Sequence, residues 1–281
     1  MERIYVEIGN LCNLHCSFCP STTRPPRQMT PEELRRVSGQ VSRHARYVYL
    51  HVMGEPLLHP HLEETLRIFH EDGLRICVTT NGTLLARRGS ILLGCDGLHK
   101  VSISLHAPEA NEGGASLDQY LRQCVSFAEE AAARGIFTVL RLWNLDSPEG
   151  KGANAENGRI HEALREAFPL PWTPRRGGFR LADRIFLEYD GLFTWPSESR
   201  AAEQEEGTCH GLRDQVAVLA DGTVVPCCLD SEGRIPLGNL LEQELEEILE
   251  SPRAAAMREG FRQHRLVEPL CRSCTFARRF G

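Results

Sequence analysis

The 281-residue chain has no excess of basic charge: 38 acidic residues outnumber 32 basic ones, for a net charge of −6. That balance leaves no electrostatic footprint for nucleic acid, so no direct RNA or DNA substrate is expected. The sequence also lacks any run of about 18 apolar residues, so no transmembrane helix and no membrane partner are expected. Its opening, MERIYVEIGN, has no apolar secretory stretch and passes straight into alternating residues, which predicts a cytoplasmic location. There is no internal repeat and no low-complexity tract. Disulfides are not expected among the 11 cysteines, because that compartment is reducing; metal or catalytic use is favoured.

What is present suits a folded α/β protein: 41% hydrophobic and 25% charged residues. The length allows one large domain, or a mid-sized one with a small appendage. Residues 3–9 alternate Ile4, Val6 and Ile8 with Arg3, Tyr5 and Glu7, a strand signal. Short β-rich runs recur at 47–52, 76–80, 100–105, 135–141 and 184–190. Helical spacing falls at 30–44, 60–72, 116–134 and 159–168, the first opening with Thr30 as N-cap and Pro31 at the first helical position. This alternation predicts parallel βα units, either in a barrel or in an open doubly wound sheet.

The Gly/Asn-rich stretch 144–158 reads as a lid or a connector, and the Pro/Gly-rich stretch 169–178 as a second loop. After the acidic segment 197–207, a hairpin is predicted over 216–225, turning at Asp221-Gly222, and a helix over 241–250. The predicted division is therefore 1–195 and 196–281. The second unit is too small for much core of its own, so a metal is expected to hold it together.

Cys12, Cys16 and Cys19 have the spacing C-x3-C-x2-C. They could be half of a zinc site or three unrelated buried thiols. Iron–sulfur clusters are usually held by four cysteines, so three leave one iron open. An open position marks a catalytic metal, and the ends of barrel strands are where such sites are built. With Phe18 before the last cysteine, the set resembles the signature of the radical S-adenosylmethionine (radical SAM) superfamily.

The resemblance implies a partial (β/α)6 barrel. It implies a [4Fe–4S] cluster on Cys12, Cys16 and Cys19 whose fourth iron is chelated by S-adenosylmethionine. An electron from a donor such as flavodoxin or ferredoxin then yields a 5′-deoxyadenosyl radical that abstracts hydrogen from substrate. Met53-Gly54-Glu55-Pro56 resembles the family's GGEP motif, with Met53 replacing its first glycine; the motif implies reception of the methionyl amino group by its backbone and acidic residue. Asn81, Ser102, Ser104, Arg141 and Asn144 fall at successive strand ends, where the family contacts the ribose and the methionine carboxylate. Phe18 belongs to the same implied cofactor set.

Cys209, Cys227, Cys271 and Cys274 lie in the predicted C-terminal unit as C-x12-G-x4-C, a gap, and C-x2-C. Spacing alone permits zinc. Beside a radical SAM signature, the layout resembles a SPASM/Twitch extension with one auxiliary [4Fe–4S] cluster, and zinc is the lesser alternative. The count from Gly222 selects Cys227 over Cys228, and neighbours on a strand face opposite ways. Cys228 is then a buried spare, and Cys77, Cys95 and Cys124 are core residues.

Glu7, His51 and His106 are the candidate catalytic side chains at the barrel mouth, with Arg141 beside them. Arg175, Arg176 and Arg180 are candidates for an anionic substrate; Tyr189, Trp195, His210 and Arg213 are candidates at the domain junction. The short chain favours a small-molecule substrate. Its layout resembles compact bacterial enzymes that include queuine lyase, which implies a 7-deazaguanine held by a carboxylate and an aromatic from among Glu7, Glu188, Asp214 and Trp195. Two other readings are a maturase of ribosomal peptides and a non-catalytic iron–sulfur carrier or sensor; the last leaves MGEP unexplained.

Overall fold

The computed structural model describes residues 1–107, 116–145, 155–191, 194–201 and 204–279. Strands β1 (Arg3–Val6), β2 (Tyr47–Tyr49), β3 (Arg75–Thr80), β4 (Leu98–Ser104) and β5 (Phe137–Leu145) alternate with helices α1 (Pro31–Val41), α2 (Leu62–Glu71), α3 (Leu85–Leu93) and α4 (Leu117–Ala133). Then follow α5 (Asn157–Ala167), β6 (Thr173–Arg175), β7 (Gly178–Ala182) and β8 (Ile185–Gly191). The C-terminal part holds β9 (Gln215–Val218), β10 (Thr223–Val225), β11 (Gly238–Asn239), α6 (Leu245–Leu249), α7 (Pro252–Arg262) and α8 (Pro269–Arg272). Among the described residues no helix is long and apolar enough to cross a membrane.

All the strands join one sheet, in the order β11-β10-β9-β1-β2-β3-β4-β5-β8-β7-β6. β1 to β5 and β8 pair in parallel and form the six strands of the partial barrel. Their alternation fixes two faces. Ile4, Val6, Val48, Ile76, Val101 and Ile103 are buried in the apolar core, while Tyr5, Tyr49, Ser102, Ser104 and Arg141 line a central cavity. Helix α1 is set in place by the expected Thr30 cap, which is part of a capping box: Thr30 and Glu33 exchange side-chain-to-backbone hydrogen bonds, and Leu34, Val37 and Val41 are buried.

Two features depart from the sequence expectations. The stretch 169–178 contributes to an antiparallel hairpin of β6 and β7 rather than a plain loop, and Gly177 turns it with φ +74°. The helix expected over 241–250 begins only at Leu245, and α7 follows it, capped by Ser251 with Pro252 in its first turn. The division near residue 195 is no break in the sheet: β9 pairs in parallel with β1, from Arg3↔Gln215 to Val6↔Val218. One hydrophobic cluster runs from Ile4 to Leu270. The C-terminal segment, too poor in apolar residues to close its own core, shares that of the barrel. Of the expected lid, residues 146–154 lie outside the described residues.

Candidate active site

A cavity of about 830 Å³ opens at the C-terminal ends of the barrel strands and is bordered by both cysteine sets. Cys12, Cys16 and Cys19 sit on the loop after β1. The Cys19 amide donates to the Cys16 carbonyl at 3.0 Å, and the Asn10 side chain donates to Pro25 O at 2.9 Å and accepts from Arg27 N at 2.8 Å, closing the loop. Burial pushes the Cys12 and Cys19 thiols up, and Asn81 Nδ2 lies 4.0 Å from Cys12 Sγ.

The MGEP segment presses against that loop. Gly54 has φ +81°, and a Cβ there would lie 2.6 Å from Gly9 O and 2.8 Å from Leu11 O, so this approach requires glycine. Glu55 N donates to Leu11 O at 2.8 Å. The Glu55 carboxylate, expected to receive a methionyl amino group, already accepts from Leu57 N (3.0 Å), Thr80 Oγ1 (2.8 Å) and Asn81 N (2.7 Å). It thereby ties the loop after β2 to the end of β3. Burial nevertheless pushes its carboxyl up. Tyr120, buried beneath, donates to Asn81 O at 2.9 Å and Ser104 O at 3.1 Å, fixing the ends of β3 and β4.

Deeper in the cavity the Arg141 guanidinium lies 3.1 Å from the centroid of the Trp143 ring. Its Nε is buried without a partner among the described residues, and burial lowers its pKa to about 10, so it stays charged at neutral pH. His51 has a buried Nδ1 with no partner. Burial, then the charges of Arg141 and Lys100, lower its pKa to about 3. His106 places Nδ1 3.1 Å from Arg141 O, so that nitrogen carries the proton; its ring centroid is 4.8 Å from that of Phe18. Burial lowers its pKa to about 4. Both imidazoles are therefore neutral under physiological conditions.

The cavity wall gathers Phe18, His51, Met53, Gly54, Glu55, Asn81, Ser102, Ser104, His106 and Arg141, as well as Glu188, Trp195 and His210. It does not include Glu7. That carboxylate is fully buried and accepts from Arg24 Nη2 (2.8 Å), Met53 N (3.0 Å) and Ala220 N (3.0 Å). Its oxygens are taken up by partners from three separate segments, and two of these, Arg24 and Met53, line the cavity in its place. Asn144 is also away from the cavity: β5 continues past Arg141, which puts residue 144 on the opposite face, where it exchanges amide hydrogen bonds of 2.9 and 3.1 Å with Asn157.

Tyr189 hydrogen-bonds His161 at 3.2 Å, and Arg213 and Asp214 pair with each other and with His210. Arg175 lies over the Phe186 ring, and neither it nor Arg176 or Arg180 lines the cavity. Sequence reasoning missed Trp143, Tyr49, Lys100 and Arg24, all on the cavity wall. Extending the alternation of β5 by one step beyond Arg141 would have found Trp143.

Across the cavity, Cys209, Cys227, Cys271 and Cys274 lie near one another: Cys227 near its neighbour Cys228, Cys209 and Cys271, and Cys271 near Cys209 and Cys274. Burial, the largest cause, pushes all four thiols up. Among the described residues no three Cys, His, Asp or Glu side chains close up as ligands of a single ion do. The two thiol sets instead border a broad space, three on the barrel side and four on the C-terminal side. This all-sulfur donor chemistry, open on one side and complete on the other, fits iron–sulfur clusters.

Residues 6–140 match the family model of the radical SAM superfamily, and residues 209–275 match that of SPASM, an iron–sulfur cluster-binding domain. A GTP 3′,8-cyclase from Synechococcus sp. (strain CC9902) is 34% identical over 135 residues, 43% of this chain and 39% of that protein. The chain thus spans well under half the length of that relative. An S-adenosyl-L-methionine-dependent 2-deoxy-scyllo-inosamine dehydrogenase from Niallia circulans is 23% identical over 281 residues, covering 97% of this chain and 92% of that one. The crystal structure of BtrN in complex with AdoMet and 2-DOIA superposes with a TM-score of 0.61 at 18% identity, over 98% of this chain and 93% of that one. That likeness concerns the fold.

Proposed function

Because the chain belongs to the radical SAM superfamily and carries a SPASM iron–sulfur domain, we propose that it abstracts a hydrogen atom from a small polar molecule seated in the central cavity. Its cofactors are a [4Fe–4S] cluster with S-adenosylmethionine and an auxiliary cluster, which together supply the 5′-deoxyadenosyl radical and a second one-electron centre. In this reading, Cys12, Cys16 and Cys19 hold the first cluster, and Cys209, Cys227, Cys271 and Cys274 the second. The observation that carries it is the single cavity bordered by both thiol sets.

The chain's own residues divide the remaining work. Gly54 lets the backbone approach the cluster loop, and this close seat is where the methionyl end of the cofactor would lie. Asn81, Ser102 and Ser104 offer short hydrogen-bonding groups along the strand ends, and Phe18 and His106 form an apolar wall. Arg141 presents a permanent positive charge, and His51 an unprotonated ring with an unfilled nitrogen. Substrate held there by a few convergent polar groups is screened from water, as small-molecule sites are.

The end-to-end similarity to an enzyme that dehydrogenates 2-deoxy-scyllo-inosamine supports a small molecule over a peptide. Two outcomes fit the site: oxidation, with the auxiliary cluster taking an electron, or bond cleavage. The specific cleavage substrate is queuine, itself a 7-deazaguanine, from which a queuine lyase-type reaction would release a smaller 7-deazaguanine base. Glu188 and Trp195, the carboxylate and aromatic it calls for, both line the cavity, whereas Glu7 and Asp214 do not.

Anaerobic reconstitution followed by S-adenosylmethionine and dithionite tests the reading. 5′-Deoxyadenosine should form well above a Cys16→Ala control, and its absence would refute the function. Adding queuine then separates the substrates: no consumption removes the 7-deazaguanine.

A further inference from the structure

Among the described residues, Cys228 is the one thiol on the cavity wall outside the two proposed ligand sets. It follows Cys227, yet packs with Tyr5 against Val52, Ala217, Leu219 and Val225. The Tyr5 and Cys228 side chains lie close enough to perturb one another. Tyr5 in turn stands edge-on to His51, with ring centroids 5.5 Å apart, and that histidine's Nδ1 is buried with no partner. A hydrogen-bonding group left open at this depth marks where a bound molecule completes the wall. A free thiol, a phenol and an unfilled imidazole nitrogen thus meet on the cavity floor, next to one auxiliary thiol.

We propose that Cys228 returns a hydrogen atom to the carbon radical formed in this cavity, with Tyr5 holding the thiol in position. A C–H bond forms and the S–H bond breaks, so the carbon centre is quenched and the sulfur becomes a thiyl radical. One electron from the external donor, dithionite in the assay or a flavodoxin-class protein, and one proton from water restore the thiol. An S–H bond is weaker than an alkyl C–H bond, so the transfer runs downhill. The inference rests on the radical chemistry proposed above and sharpens it. One hydrogen atom removed from the substrate and one given back leave it redox-neutral, which fits bond cleavage or rearrangement and not a net two-electron oxidation.

The test needs no substrate, because the 5′-deoxyadenosyl radical itself serves as the probe. The reconstituted protein is turned over with S-adenosylmethionine and dithionite in D2O, with no added thiol, and the 5′-deoxyadenosine is analysed by mass spectrometry. Wild type should give product carrying a deuterium from the exchanged S–D group. Cys228→Ser keeps the size and the contact with Tyr5, but its O–H bond is too strong to donate, so that deuterium should be lost. Tyr5→Phe should lower deuterium content without abolishing it. Iron counting accompanies each variant, and Cys228→Ser should retain about eight irons per chain, as two [4Fe–4S] clusters require.

Deuterium-free product from wild type, or equal deuteration in Cys228→Ser, overturns the donor alone. Loss of about half the iron in Cys228→Ser makes the residue a cluster ligand and overturns it as well. No 5′-deoxyadenosine from wild type overturns the proposed function and the donor with it.

Discussion

Glu7→Gln should lower the stability of the cluster-loaded protein by about 3–5 kcal/mol, the usual cost of leaving one member of a buried ion pair without its counter-charge. The carboxylate is fully buried, and Arg24, 2.8 Å away, has only 13% of its side chain exposed. Glutamine keeps one acceptor oxygen. Turned toward Arg24 and Met53 N, it sets its own NH2 against the Ala220 N–H, donor to donor, and an unpaired buried amide costs about 1–3 kcal/mol. Turned the other way, it abandons Arg24.

At about 2–4 °C per kcal/mol for a chain of a few hundred residues, Tm should fall by roughly 6–20 °C, as read by anaerobic thermal unfolding. Arg24→Met and the double variant complete a cycle, and the double should cost much less than the sum of the singles. A loss below about 1 kcal/mol in Glu7→Gln, or single effects that add within about 0.5 kcal/mol, would show that these groups do not act as one unit.

Gly54→Ala forces an L side chain into the left-handed region and against Gly9 O and Leu11 O, at about 1–3 kcal/mol of stability, or roughly 2–12 °C in Tm; an unchanged Tm would reject the strain argument. Cys271→Ala should retain about four irons per chain and keep the spectral response of the remaining cluster to S-adenosylmethionine; loss of that response would merge the two proposed sites. His51 and His106, lowered from 6.5 to about 3 and about 4, are uncharged in the folded cavity, whereas unfolding frees them to protonate near 6.5. The unfolded chain therefore binds more protons below that value, so their contribution is full above pH 6.5 and declines as pH falls toward 4. Tm should drop between about pH 7.5 and 5.5, and drop less in His106→Gln; equal drops would contradict the burial argument.

Local patterns reported local structure well. The Thr30 cap, the alternation of Ile4 and Val6, and the serial placement of Asn81, Ser102 and Arg141 at strand ends were legible because each depends on residues a few positions apart. Cys209, Cys227, Cys271 and Cys274 were grouped from spacing, and the fold brings them to one side of one cavity. Glu7 and Asn144 were not legible: Glu7 is taken up by Arg24, Met53 and Ala220, partners remote in sequence, and β5 runs beyond Asn144, so where that strand stops decides its face. The pairing of β1 with β9 left no local trace at all. Nothing in RIYV or QVAV names its partner, and only the unpaired edge of β1 and the coreless C-terminal segment together imply it.

That pairing sets an order of events during synthesis. Ala220 is 213 residues downstream of the Glu7 carboxylate that its amide meets. At about 5–20 residues per second, the ribosome takes roughly 10–40 s to deliver it. Throughout that interval β1 presents a bare edge, Glu7 lacks its third donor, and the cysteine loop lacks the anchors Arg24 finds on Ser231 and Thr23 on Glu232. The nascent chain thus exposes an aggregation-prone edge beside three reactive thiols. Cluster assembly is correspondingly a late event, gated by the arrival of the C-terminal strands; chains truncated before residue 215 should emerge insoluble and iron-poor, even with the first cysteine set intact.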